Sequence, residues 1–589
     1  MSRKRLLPDS VLNRMGPLLA AIQGAEDADD DWRSAARIHV LRNYTTEPLD
    51  PYLKFHLLRD DVQTTISHGG YGTIAQELLD PESAVLKSPP DAIVLSLLVE
   101  CIDPAAGDDG WTADVAMQEI TTFIDTLVGR TSALIIANTF IPPIEAILDN
   151  RTASIDRELD RLNEHLLDVV GQHESRVTVC DWRKLPGPGA LVAAIDRRFW
   201  RSSEAPFRAA FLDLYARRIA GYVRAIKGLA KKCLILDCDG TLWGGVVGED
   251  GPEGIALHPT TEPGATFRQF QEEVVRLHDK GVMIAICSKN NEEDVWNVLE
   301  HHEHVVLSKS HLVAWRINWD DKANNILSIV DELNIGMDSV VFVDDSPRER
   351  LLVASRLPEV AVIAIPDGQP ARPEMLERDG FFEAFATSAE DASRTRMYQQ
   401  QSARGDEKHR FEDLAGYLRS LETAVRIASV DDSSVSRVAQ LTQKTNQFNL
   451  TTRRYDEAEI IEFVKDPEIA VYQMAVEDRF GDMGITGVFI ARRNKSIAII
   501  DTLLLSCRVL GRQLEIAFVD QCMQALEAKW PVASWRAEYV ATRKNQQTAD
   551  FWDRVGFEVV GGGESNKLYS SDVDSRAVAY QDVMNVELN

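Results

Sequence analysis

Four carboxylates, each just after an apolar run, carry the strongest chemical signal in this 589-residue chain. The run 233–236 leads into Asp237-Cys238-Asp239-Gly240-Thr241, and the run 339–343 into Asp344-Asp345. Between them a third run, 282–287, leads into Ser288-Lys289, and Lys322 opens a helical stretch. If these runs are neighbouring strands, up to four carboxylates meet at one sheet edge. Two like charges about 4 Å apart repel by roughly 4 kcal/mol at an effective dielectric of 20. A hard divalent cation removes that repulsion, and a donor set of oxygens points to Mg2+. Such an ion also screens an incoming phosphate, which Ser288 can hydrogen-bond and Lys322 can neutralise. The competing reading, a solvated acidic strand end, suits a single Asp-x-Asp better than four elements in this order.

These residues need strands that end together. Lys231 opens a block in which the strands 233–237, 282–287 and 339–343 alternate with helical stretches at 264–280, 292–300 and 322–333. That alternation predicts a parallel α/β sheet, whose ligands sit at the carboxyl ends of its strands. Upstream, apolar runs at 38–41, 62–67, 92–98, 133–137 and 176–180, with helices near 53–60, 155–172 and 206–229, predict another α/β unit. From about 421 onward, strands and helices mix as in an α+β unit: strands at 425–429, 469–476, 486–492, 496–505 and 535–540, and helices near 433–442, 456–465, 511–528 and 546–555. The expected division is a helical extension over 1–30, an α/β sandwich over 31–229, the acidic-motif unit over 230–368, a connector over 369–420 rich in Pro, Gln and Arg, and the last unit over 421–589.

Composition narrows the class. Lys and Arg number 64 against 92 Asp and Glu, a formal charge of −28. That field repels phosphate backbones and anionic lipid surfaces, so neither nucleic acid nor membrane is the expected partner. Seven scattered cysteines with no Cys-x-x-Cys pair fit a reducing compartment. The N-terminus carries Arg3, Lys4 and Arg5, but Asp9, Asn13 and Arg14 interrupt its apolar stretch, so no secretory core is expected. No apolar run approaches the roughly 20 residues of a spanning helix. The expected location is cytoplasmic.

The stretch 237–251, Asp-Cys-Asp-Gly-Thr-Leu-Trp-Gly-Gly-Val-Val-Gly-Glu-Asp-Gly, resembles the first motif of haloacid dehalogenase-type (HAD) phosphotransferases. Its Thr-Leu-Trp-Gly-Gly extension is similar to the FkbH-like branch. So are 342–350, Phe-Val-Asp-Asp-Ser-Pro-Arg-Glu-Arg, and 441–453, Leu-Thr-Gln-Lys-Thr-Asn-Gln-Phe-Asn-Leu-Thr-Thr-Arg. The resemblance covers about 35–570. It implies an enzyme that moves a glyceryl unit from 1,3-bisphosphoglycerate to the phosphopantetheine thiol of an acyl carrier protein, with dephosphorylation, for polyketide-type pathways. It also implies Asp237 as nucleophile and Asp239 as general acid/base. Mg2+ would be held by Asp237, the Asp239 carbonyl and Asp344, with Asp345 in support. Ser288 and Lys322 match phosphate-binding positions, and Arg348 is a further phosphate partner or a solvated helix start. Cys238 is a thioester carrier or a core cysteine, since strand alternation turns it away from Asp237 and Asp239. A plain phosphatase and a non-catalytic docking scaffold are the rival readings.

The flanking units carry resemblances too. Asn43-Tyr-Thr45-Thr46, Pro90-Asp91 and Asn138-Thr139 make the first unit similar to SGNH hydrolases. The nucleophilic Ser and the late Asp-x-x-His of that family are missing, so a non-hydrolytic role is implied. The last unit resembles GNAT acyltransferases. Its stretch 507–513, Cys-Arg-Val-Leu-Gly-Arg-Gln, precedes a helix whose N-terminal amides would receive a pantetheine phosphate, with Arg508, Gly511 and Arg512 as contacts. Gln513 stands where that family has Gly or Ala.

Overall fold

The computed structural model describes residues 6–28, 32–152, 155–187, 189–383, 404, 411, 413–542, 544–563, 565–573 and 584–588. They form three α/β units, each built on its own sheet.

In the first unit, β1 (Ser34–Arg42), β2 (Val62–Tyr71), β3 (Ala92–Ser96), β4 (Leu134–Asn138) and β5 (Val177–Cys180) are parallel, in the order β2-β1-β3-β4-β5. Every residue of β3 and β4 is buried, because helices cover both faces of the sheet. The helix Asp114–Arg130 is absent from the sequence expectation, although Ala116, Ile120, Phe123, Ile124 and Leu127 recur at helical spacing and are buried. The expected extension 1–30 is part of this unit. Its helix Met15–Glu26 sinks Leu18, Ile22 and Ala25 into the same core as Leu7 and Leu12. Arg3, Lys4 and Arg5, and also Asp29, Asp30 and Asp31, lie outside the described residues.

The second unit contains β6 (Cys233–Leu236), β7 (Met283–Ser288), β8 (Leu312–Ile317), β9 (Val340–Asp344) and β10 (Ala361–Ala364). All are parallel, in the order β10-β9-β6-β7-β8. From β6 the chain moves to β7 on one side and later to β9 on the other, so β6 lies at the point where strand order reverses. A crevice at the carboxyl ends is the usual ligand site of such sheets. The sequence reading has neither β8, with its polar Arg316, nor the four-residue edge strand β10.

The connector expected over 369–420 is corrected at both ends. Ala371 and Leu376 are buried in the second core, with Phe381 and Phe382 packed against it. Tyr417, Leu418 and Leu421 form a small cluster with Phe480 and Met584 of the last unit. Apolar burial draws these ends out of the linker; 384–403 and 405–410 lie outside the described residues.

The last unit is a nine-stranded mixed sheet. Its strands are β11 (Thr423–Ser429), β12 (Phe448–Asn449), β13 (Ile469–Asp478), β14 (Gly481–Asn494), β15 (Ile497–Leu505), β16 (Ser534–Val540), β17 (Glu558–Gly562), β18 (Asn566–Asp572) and β19 (Met584–Leu588). β15 and β16 are parallel and pair only through Ile497–Ile499 and Ser534–Arg536. Beyond that they part, and β12 enters the wedge. Phe448 pairs with Leu505 and Asn449 with Leu504. The Leu450 N–H donates to the Leu503 carbonyl at 3.2 Å, and the Leu450 carbonyl accepts from Val540 at 2.8 Å. Among the described residues no helix is long and apolar enough to cross a membrane.

Candidate active site

The register of the second sheet assembles the acidic site. Leu236, the last residue of β6, is level with Ile286 of β7 and Val343 of β9. The next residue, Asp237, donates its N–H to the Val343 carbonyl at 3.0 Å, so Asp237 and Asp344 leave adjacent strand ends side by side. Oxygens of Asp237, Asp344 and Asp345 lie within 4.8 Å of one another. The Lys322 ammonium, at the first turn of the helix Lys322–Leu333, reaches Asp237 Oδ1 at 2.9 Å and Asp344 Oδ2 at 2.6 Å.

Asp239 faces another way. Its Oδ1 accepts from the Trp243 indole at 2.8 Å and from the Val247 N–H at 3.1 Å, and its Oδ2 from the Asn290 amide at 2.8 Å. Three donors therefore hold this carboxylate apart from the Asp237, Asp344 and Asp345 cluster. Gly240 makes the turn possible. Its φ is +70°, and a β-carbon there would lie 2.3 Å from Asp345 Oδ2. Thr241 accepts the Asp345 N–H at 3.1 Å, and Arg350 donates to the carbonyls of Asp344 and Asp345 at 2.8 and 2.6 Å.

The electrostatics follow from burial. Desolvation first, and then the Asp237 charge, push the Asp344 carboxyl up to about 6 even with Lys322 beside it. Burial and Asp237 also raise Asp345. The Lys322 ammonium is almost wholly buried, yet the two carboxylates hold its proton above the ordinary lysine range. Three converging carboxylates with one shared ammonium are a donor set that fits a hard divalent ion. Asp237, Asp344 and Asp345 are the residues that would hold it.

The remaining predicted residues are distributed as follows. Ser288 is buried at the carboxyl end of β7, and its carbonyl accepts from Asn318 at 3.1 Å. Cys238 is buried in the apolar core. Burial and the Asp237 charge push its thiol well up, and a hydrogen bond with Ser288 opposes them. β6 has ended at Leu236, so strand alternation does not govern where this side chain points. Arg348 is exposed on the helix Pro347–Arg356. Arg350, two residues later, is the arginine that touches the acidic motif.

In the last unit, Gly511 takes φ +76° and Gln513 φ +63°, just before the helix Leu514–Lys529. Arg512, expected at a pantetheine, is buried and pairs with Asp478 at 3.0 Å, beside the Arg404–Asp478 pair at 2.6 Å. An arginine held on an internal carboxylate is committed to the fold. Arg508 lies in the one-turn helix Cys507–Val509 and accepts at its carbonyl from Arg512 at 3.2 Å.

Sequence reasoning missed Asn290, Trp243 and Arg350 as site residues. Trp243 stands inside the first acidic motif and Arg350 closes the second, so both were in view. Asn290 follows Ser288-Lys289 directly, but only the fold turns its amide toward Asp239.

No family model matches the chain, and no curated protein matches it. Among solved structures, the chain is similar to the N-terminal part of the protein BF1531 from Bacteroides fragilis, which contains a phosphatase domain and was crystallised with Mg. The identity is 26%, over 62% of this chain and 98% of that one, with a TM-score of 0.53. It is also similar to the ribosomal-protein-S18-alanine N-acetyltransferase from Escherichia coli, at 12% identity over 27% of this chain and 97% of that one, with a TM-score of 0.21.

Proposed function

We propose that the chain is a Mg2+-dependent HAD-type enzyme that loads a three-carbon hydroxyacyl unit onto a carrier protein. The donor is 1,3-bisphosphoglycerate or a similar acyl phosphate, and the acceptor is the phosphopantetheine thiol of an acyl carrier protein. The observation that carries the phosphate chemistry is Lys322 bridging Asp237 and Asp344, with Asp239 held separately by three donors. The Bacteroides fragilis structure, with its phosphatase domain and Mg, supports the same reading. The carrier, the acyl unit and the polyketide-type pathway rest on the sequence motifs.

The chain's residues divide the work. Lys322 and Ser288 bind the phosphate oxygens, and the Lys322 charge offsets the negative charge gathering at phosphorus. An Asp237 oxygen attacks the phosphorus of the donor's phosphoester, not of its acyl phosphate, while Asp239, oriented by Trp243 and Asn290, gives a proton to the leaving alkoxide oxygen and later takes one from the water that frees phosphate from Asp237. A bound Mg2+ would neutralise the clustered carboxylates and the phosphoryl oxygens. For the acyl step, the carrier thiol attacks the acyl carbon. The C–S bond forms as the acyl C–O bond breaks, and phosphate leaves with that electron pair and takes up the thiol proton. Incubation with the donor and a carrier protein, followed by intact-protein mass spectrometry, should show the carrier gaining a glyceryl or phosphoglyceryl mass only when Mg2+ is present.

A second reading, a plain phosphatase on a small phosphoester, has one observation in its favour. The Bacteroides fragilis structure to which the chain is similar contains a phosphatase domain. Phosphate release with no mass gained by any carrier would select it.

A further inference from the structure

We propose that Trp319 is the surface on which the neutral pantetheine portion of the acceptor's phosphopantetheine arm lies, and so determines acceptor specificity at the acidic site. The inference rests on the carrier-loading function above. Trp319 is 70% exposed, although an indole gains more from burial than almost any other side chain. It is nevertheless held in place. It belongs to the short loop between β8 and the helix Lys322–Leu333, and both ends of that loop join the site. At one end the Asn318 N–H donates to the Ser288 carbonyl at 3.1 Å. At the other, Asp321 caps the helix by accepting from Asn324 at 3.1 Å, and Lys322 follows. The Trp319 indole N–H donates to Asn291 Oδ1 at 3.3 Å, next to the Asn290 that orients Asp239. The ring thus stands on the loop between the residues proposed to bind phosphate and those that hold the acid/base, tethered through its indole N–H.

Three residues join β7 to the helix Glu292–His301, and the Trp319 indole itself is open to solvent, so an arm can reach it from outside. Charge decides which substrate uses the Trp319 side. Asp320 is its neighbour, and Glu292, Glu293 and Asp294 follow Asn291 directly. These carboxylates repel an anionic acyl phosphate, which Lys322 attracts deeper in the site. A neutral chain of amides and methyl groups meets no such repulsion and packs against an indole face.

The test is steady-state carrier loading by the full-length wild type and its Trp319→Ala and Trp319→Phe variants. Trp319→Ala should raise KM for the carrier about tenfold relative to KM for the acyl phosphate, the scale of an aromatic hot spot, and Trp319→Phe about threefold. If the wild type loads the carrier, variant KM values for donor and carrier that rise together, or not at all, would overturn the proposal alone. A wild type that loads no carrier would overturn the function and this inference with it. If Trp319→Ala instead converts a dimer to a monomer in gel filtration with carrier KM unchanged, the ring serves a second copy of the chain, and the proposal fails.

Discussion

Asp237 and Asp344 leave adjacent strands, and the cost of that closeness shows at the Asp344 carboxyl. An Asp344 carboxyl raised to about 6 binds a proton in the folded chain across the range from roughly 4 to 6, where the unfolded chain has lost it. Stability from this group therefore declines as pH rises through that window, and the full penalty applies above it. A divalent ion bound by the ionised pair removes the penalty. The rise in melting temperature on adding Mg2+ should thus be larger at pH 7 than at pH 5; equal rises would mean that the ion does not touch Asp344. Asp237→Asn should stay folded and lose phosphate release by roughly 10³-fold or more, because the attacking oxygen is gone. Asn290→Ala leaves every ligand in place and frees one oxygen of Asp239. Phosphate release should fall about 10- to 100-fold, the usual cost of misplacing a catalytic group, with Mg2+ binding retained.

Two elements do unusual positional work. The turn at Gly240 lets the chain pass from β6 into the Trp243 and Val247 contacts that aim Asp239. Gly240→Ala should cost about 1–2 kcal/mol for a left-handed residue with a β-carbon, and should also displace Asp345. Mg2+ affinity measured by calorimetry should fall in this variant; an unchanged affinity would remove Asp345 from the ion's surroundings. In the last unit, β12 occupies the edge of β15 that its divergence from β16 leaves unpaired. An extended amide ligand seeking that edge finds the backbone groups of Leu503, Leu504 and Leu505 already bonded. Coenzyme A should accordingly show no binding tighter than about millimolar in a titration. Binding in the micromolar range would mean that β12 yields its place.

At the scale of the whole molecule, the three units meet at Asp338, which precedes β9. Its carboxylate pairs with Arg33 of the first unit and with Lys544 of the last, at 2.5 Å for the lysine. Its backbone carbonyl accepts from Lys231 at 2.7 Å. Burial opposes the carboxylate charge, but the Lys544 and Arg33 charges outweigh it and hold Asp338 well below the usual range. Lys544 responds the other way. Burial pushes its ammonium down to about 8, because it has one carboxylate where Asp338 has two cations. Asp338→Asn should lower stability by about 1–3 kcal/mol, the scale of hydrogen bonds to charged groups. The loss should be full at neutral pH and shrink in acid, since a carboxylate with a depressed folded value stabilises above its unfolded value of about 4 and loses that contribution as pH falls. Limited proteolysis should then cut between units sooner; an unchanged pattern would show that the junction is held by other contacts.

Apolar runs alternating with helical stretches pointed to the parallel sheets of the first two units, because burial on both faces of such a sheet writes long apolar runs into the sequence; the last sheet is mixed, with antiparallel neighbours that follow one another in the chain. Asp237, Asp344, Asp345 and Lys322 stand at strand ends or a helix start, where chain order predicts that they meet, whereas Asp239, two residues past its strand, turns away to Trp243, Val247 and Asn290. What escaped were contacts set by distance in space. Asn290 reaches Asp239 across 51 residues, and Asp338 reaches Lys544 across 206. Strand alternation could not orient Cys238, because the strand stops two residues before it. Arg512 sits at a position matching a ligand loop, yet its guanidinium turned inward to Asp478, a choice made by the charge buried on β13. Local pattern fixes what a residue can do, and packing decides which partner it meets.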